Sequence, residues 1–141
     1  MADLFDTFAV ASSGLSAERT RLQSIASNMA NARTTRTADG GPYRRQTPVF
    51  RAEALDPFGE SLGAETSRVV VDEIKRDDTP PERVYDPTHP DAGPDGYVAY
   101  PSINVLEEMV DLMTAQRSYE ANANVVEATR DMAMTALGIG K

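Results

Sequence analysis

The chain has 141 residues and 15.3 kDa, with 40% hydrophobic and 26% charged residues, the size and balance of one soluble domain. A net charge of −8 and a pI near 4.6 argue against a sequence-independent grip on nucleic-acid phosphates, which needs clustered bases. Without a single cysteine there is no disulfide frame, thiolate metal site or cysteine nucleophile.

All nine prolines lie between Pro42 and Pro101, and residues 41–100 carry −5 of the −8. The chain therefore divides into three: 1–35, 36–102 and 103–141. In the first part Phe8, Ala11, Leu15, Glu18, Leu22, Ile25, Met29 and Ala32 alternate at spacings of four and three, broken only by Glu18, which predicts a long amphipathic helix over Asp3–Arg33. Asp3 is the expected N-cap, with Asp6 in the first turn. The N-terminus carries these acids where a secretory signal would carry bases. The uncharged run from Thr7 to Ala17 is eleven residues, short of the roughly twenty needed to cross a bilayer, so no direct membrane span is expected.

The middle reads as short strands and turns, with candidate strands at Tyr43–Phe50, Ser67–Lys75, Arg83–Tyr85 and Tyr97–Tyr100. Pro48 argues for an edge position. Asp77–Pro81 and Asp86–Asp91 have the composition of turns and extended loops.

The last part opens on Asn104 followed by Glu107, a capping-box pattern. Val105, Met109, Leu112, Gln116, Tyr119, Ala123, Val126, Ala133 and Leu137 then repeat at heptad spacing, interrupted by Arg130, and Gly138 and Gly140 read as a stop. Leu106, Val110 and Met113 widen this helix's apolar face beyond a two-helix seam, which predicts more than one neighbour. The expected fold is mainly α with a small β or extended middle: two long terminal helices packing as an antiparallel coiled-coil-like pair, with short strands and loops between them. Two helices facing only each other would leave much apolar surface uncovered, which points to completion by other chains.

No constellation supports catalysis. His89 lies near Asp86, Asp91 and Asp95, but an acidic, proline-punctuated surface loop accounts for the same residues without a metal. A calcium loop starting at Asp91 fails at its twelfth position, Ser102. Glu107 and Glu108 point about 100° apart on a helix and cannot face one substrate together. No catalytic, cofactor-binding or metal residue is expected, and no cofactor. Asn28, Asn31 and Gln23 on the first helix, and Gln116, Asn122 and Asn124 on the second, read either as solvated surface or as amides that specify register between packed helices.

The run Ser27-Asn28-Met29-Ala30-Asn31-Ala32 with Thr34-Thr35 resembles the N-terminal motif of the bacterial flagellar rod and hook family. Gly14–Leu22, Gly40–Arg45, Val84–Asp91, Gly96–Pro101, Asn104-Val105, Glu107–Val110 and Arg117–Asn122 extend the likeness to a proximal-rod member, while residues from about 52 to 76 match least. The resemblance implies a structural, non-enzymatic subunit of the periplasm-spanning rod in the basal body. Such a subunit is exported without a cleaved signal by the flagellar type III apparatus, and its terminal helices build an inner tube. Implied partners are copies of itself, other rod proteins, the basal adaptor protein, the MS ring and, during assembly, the export apparatus. The expected subunit-interface residues are Leu4, Phe8, Leu15, Leu22, Ile25, Asn28, Met29 and Asn31 on the first helix. On the second they are Val105, Met109, Leu112, Gln116, Tyr119, Val126 and Leu137. The other readings open at this point are another proximal-rod paralogue and a helical secreted adaptor or effector.

Overall fold

A computed structural model describes residues 2–55 and 66–139. Helix α1 spans Ala2–Ala30 and helix α2 spans Val105–Ile139. Between them lie β1 (Gln46–Ala54) and β2 (Ser67–Arg76), which pair antiparallel, and β3 (Glu82–Tyr85) and β4 (Tyr97–Tyr100), which form a second antiparallel pair. The expectation of a mainly α chain with a small β middle holds. Among the described residues each sheet has two strands, so each strand has one edge without a partner strand, and Pro48, opposite Ile74, removes no ladder donor that the sheet needs.

Local chemistry shifts several boundaries. The first helix begins at Ala2, so Asp3 lies within its first turn and is not the cap ahead of it. It ends at Ala30 and not near Arg33: the Asn31 backbone N–H still reaches the Ser27 carbonyl at 3.0 Å, joined there by the Asn31 side-chain amide at 2.9 Å, but the next bonds, Ala32 to Met29 and Thr34 to Asn31, span only three residues. Strand β1 starts at Gln46, three residues after Tyr43, since the Tyr43 amide donates instead to the Thr34 carbonyl at 3.0 Å. Gly40 and Gly41 make the intervening turn with φ of 79° and 85°, a left-handed region that favours glycine. Asn104 does cap α2, through its Oδ1 to the Leu106 amide at 3.1 Å, so the cap reaches the second helical residue and does not take the Glu107 amide of a capping box. The stop expected at Gly138 does not occur, since α2 runs through it to Ile139; Gly140 lies outside the described residues.

Helix α1 packs on α2 and on the β1–β2 hairpin. The Ser13 hydroxyl donates to the Val10 carbonyl at 2.7 Å and accepts from the Val69 amide at 3.0 Å, and the Arg21 guanidinium sits 5.2 Å above the Phe50 ring. Apart from Ile25, the buried residues of the two helices are small or polar: Ala11, Ala17, Ser24 and Asn28 from α1, and Glu108, Ala115 and Thr129 from α2. Helices meeting over such residues approach closely. Gly14 shows how closely, because a Cβ there would lie 2.8 Å from the Asn122 amide nitrogen.

The expected turns are tied by their own side chains. Asp77 Oδ1 accepts from the amide and hydroxyl of Thr79 at 2.9 and 2.7 Å, and Asp86 Oδ1 does the same with Thr88 at 3.1 and 2.6 Å. The Thr88 hydroxyl, followed by its amide, holds the Asp86 carboxyl below its ordinary 3.8. With the folded-state value below the unfolded one, this turn's contribution to stability is present above about pH 4 and is lost as pH falls through the lowered value. Thr88→Val is expected to bring the Asp86 carboxyl midpoint, followed by NMR, back toward 3.8. A midpoint that stays put would exclude the hydroxyl as the cause.

Candidate functional site

The end of α1, the entry to β1 and the start of α2 meet at one buried polar junction. Asn28, 1% exposed, sits on the inner face of α1, and both sides of its amide are in use. Its Nδ2 donates to the Gln46 carbonyl at 2.9 Å and to Glu108 Oε2 at 3.1 Å, while its Oδ1 accepts from the Gln46 amide at 2.8 Å and from the Tyr43 hydroxyl at 3.1 Å. One side chain thus fills the four hydrogen-bonding places an amide offers. Gln46 gains a backbone-like pair at the point where β1 begins, which supplies the strand with a partner that the hairpin does not provide.

Glu108, also 1% exposed, is the one buried carboxylate at the start of α2 among the described residues. Its Oε1 accepts from Arg45 Nε at 2.6 Å. Arg45 reaches on to the Thr47 hydroxyl at 3.1 Å and to Asp111 at 3.4 Å. The hydrogen bond it donates to Glu108 holds the guanidinium above its ordinary range, against the opposing effect of its partial burial. A buried carboxylate is tolerated only where charge and hydrogen bonds compensate its lost hydration, and here both oxygens are satisfied. Around this centre the Ser27 and Tyr43 hydroxyls lie 3.1 Å apart, the Thr34 hydroxyl donates to Asn31 Oδ1 at 3.1 Å, and the Thr35 hydroxyl donates to Asp91 at 2.7 Å. The run from Ser27 to Thr35 is therefore a set of ties from the helix end to three other segments.

The expected interface residues fall into three groups. Asn28 and Ile25 are buried within the chain. Leu4, Leu15, Leu22, Met29, Asn31, Leu112 and Val126 are half-buried. Phe8, Val105, Met109, Gln116, Tyr119 and Leu137 are exposed. On α2 the inward residues Glu108, Ala115 and Thr129 sit one position before Met109, Gln116 and Arg130, so half of the expected stripe is displaced by one residue. The apolar residues face outward instead, with Leu106 70%, Val110 57% and Met113 57% exposed. At the far ends, Phe5 on α1 and Met132, Met134 and Leu137 on α2 are also open.

Of the amides weighed for register, Asn28 bridges the two helices, and Asn122 lies against Gly14. Gln23 and Asn124 are exposed, and Gln116 donates only to Glu120 on its own helix, at 3.3 Å. Sequence reasoning treated Glu108 as a first-turn acid and gave Arg45 and Tyr43 no role of their own. The signal that could have found Glu108 is the seven-residue series Glu108, Ala115, Asn122 and Thr129. His89 accepts from the Asp91 amide at 3.1 Å through Nδ1, and its ring lies 6.2 Å from that of Tyr100. No group of three or more potential metal ligands occurs among the described residues. No described helix is long and apolar enough to cross a membrane.

Glu18, the break in the first stripe, pairs with Arg21 at 3.4 Å, but its Oε2 is buried without a hydrogen-bond partner. Such an atom is destabilising. Glu18→Leu is expected to raise stability by about 1 kcal/mol in urea denaturation; a loss would show that the carboxylate is compensated.

The likeness to known proteins runs over nearly the whole chain, and the family profiles match its two terminal parts. Residues 8–36 match the family profile described as "Flagella basal body rod protein", and residues 95–139 match "Flagellar basal body rod FlgEFG protein C-terminal". Over 96% of this chain and 97% of its relative, the sequence is 40% identical to a Borreliella burgdorferi protein named "Flagellar basal-body rod protein FlgC". The chain belongs to the FlgC family of flagellar basal-body rod proteins. The FlgC of Bacillus subtilis is 40% identical over 97% of this chain and 98% of its own length, and that of Salmonella typhimurium is 37% identical over 98% of both. Asn28 and Glu108 each fall within a matched span, whereas Tyr43 and Arg45, which join them, fall between the two.

Proposed function

We propose that this chain is a structural, non-catalytic subunit of the proximal part of the flagellar basal-body rod, held there by the outward apolar faces of its terminal helices. The observation that carries this reading is the division of labour between residues. Small and polar side chains join α1 to α2, leaving Leu106, Val110 and Met113 with no cover within the chain beyond what their partial exposure allows. Contiguous apolar residues of that size mark a contact surface. The names of the FlgC relatives support the identity of the assembly.

Residues 1–35 and 103–141 then act as one unit, an antiparallel coiled-coil-like pair, and residues 36–102 form the module between them. Two contacts support this direction and register: Asn28 near the end of α1 meets Glu108 near the start of α2, and Gly14 meets Asn122, fourteen residues back on one helix and fourteen on on the other. The subunit-contact residues are the exposed members of the expected set, Phe8, Val105, Met109, Gln116, Tyr119 and Leu137, with the half-buried Leu4, Leu15, Leu22 and Val126 beside them. Copies of the chain and other rod proteins are the neighbours. The basal adaptor and the MS ring lie at the rod's base, and export proceeds by the flagellar type III apparatus without a cleaved signal.

The test is electron microscopy of basal bodies from cells lacking this chain, beside a complemented control. The expected result is a membrane ring whose rod is missing or stops at its base. Complete rods and hooks would overturn the proposal.

A further inference from the structure

The seam between the helices repeats at seven residues on both sides. Thr7, Gly14, Arg21 and Asn28 follow one another by heptads on α1, as do Glu108, Ala115, Asn122 and Thr129 on α2. Asn28 bonds to Glu108, and Gly14 lies against Asn122, so the two series run level with each other. A repeat of this kind presents the same face after a slide of one heptad, about 10 Å along the axis. Large interlocking apolar side chains would forbid such a slide. This seam has few of them, since its buried members are mostly alanine, serine, threonine, asparagine and glutamate.

The displaced arrangement has its own logic. Sliding α2 toward the start of α1 by one heptad sets Glu108 level with Arg21 and Ala115 level with Gly14. It moves Glu108 from Asn28 and Arg45 to Arg21, replacing one cation by another at the loss of the amide contact, and places a methyl group beside a glycine. Arg21 is free to make that exchange, because its present partners are the Phe50 ring and Glu18 at 3.4 Å, with 41% of its side chain exposed. The β3–β4 pair leads directly into α2, so it could follow the slide only by giving up the Thr35 and Arg36 contacts to Asp91 that tie it to the exit of α1.

We propose that Asn28 is the positioning residue that selects the observed register over one displaced by a heptad. Its amide is suited to this because it reads two elements at once. Glu108 fixes α2, and the Gln46 amide and carbonyl fix β1, so no displaced arrangement satisfies both. Arg45 reinforces the choice from the β1 side, through Glu108. The role concerns the chain's own fold and does not depend on what the chain assembles into.

The test measures register directly. The chain lacks cysteine, so Gln23→Cys and Glu127→Cys, both exposed, give a doubly spin-labelled full-length protein for pulsed dipolar distance measurement. In the observed register the two sites lie about 21 Å apart along the axis, and in the displaced one about 31 Å. One peak is expected for the otherwise native chain. Asn28→Ala is expected to add a second peak longer by about 8–10 Å. Asn28→Asp keeps the size and Oδ1 but opposes Glu108, so it serves if the alanine variant folds poorly, and it is expected to give the same second peak. Adding Arg21→Ala is expected to remove that peak. A single unmoved peak in both Asn28 variants, or broadening without a second peak, would reduce Asn28 to a stability role and overturn the proposal. A long-distance peak that survives Arg21→Ala would overturn the pairing on which it rests.

Discussion

Asn28→Ala is expected to lower the stability of the folded chain by about 3–4 kcal/mol, read from urea denaturation. The figure follows from four hydrogen bonds at about 1 kcal/mol each, in a setting where the abandoned partners cannot all be rehydrated. Gln46 N and O, the Tyr43 hydroxyl and Glu108 Oε2 would lose their partner together. Arg45→Ala is expected to cost somewhat less, about 2–3 kcal/mol: it leaves the buried Glu108 carboxylate without its cation, a loss held below that of a fully buried pair because about a third of the Arg45 side chain is exposed and water can reach the vacated site. The order matters more than the values. A larger loss from Arg45→Ala than from Asn28→Ala would mean that the ion pair, and not the amide, organises the junction.

The second large effect separates folding from assembly. Val110→Asp changes a residue 57% exposed on the outer face of α2, so the isolated chain should keep its stability to within about 0.5 kcal/mol. In a packed subunit contact the same carboxylate would be desolvated without a partner, a cost of several kcal/mol. The expected outcome is a folded protein that restores neither rods nor swimming to cells lacking the native chain, with affinity for its neighbours down at least about 100-fold. Swimming restored to the native level would remove this face from the contact surface. Ile25→Asp provides the contrast: Ile25 is buried, so that variant should fail by unfolding.

Periodicity and turn chemistry made much of this architecture legible. The limits of β2, β3 and β4 fall within one residue of those read from branched and aromatic residues between prolines and acidic turns, and Asn104 caps α2. The helix seam was legible only in part, for a physical reason. Pattern reading assigns the largest apolar residues to the inside. In α2 that rule selects Met109, and heptad spacing from it selects Gln116, whereas the helices approach closely enough that Glu108 and Ala115 fill the space, and the larger side chains are left for other surfaces. Glu108 was further concealed by having a second good explanation, since an acid in a first helical turn needs no partner. Tyr43 was read as the start of a strand, and only the fold reveals that its hydroxyl belongs with Asn28. Residues that become important by meeting others far along the chain leave little trace in local composition.

The uneven distribution of ties along the helix pair has a mechanical consequence. At one end α1 and α2 are fastened by directional hydrogen bonds to a buried carboxylate; farther along they touch through alanines, a glycine and threonine, which resist separation but grip weakly against shear. A force drawing one helix past the other would therefore load Asn28 and Glu108 before the rest of the seam. Under torque the junction acts as a shear pin, and the strut it closes can stay stiff along its length without being bonded along its length.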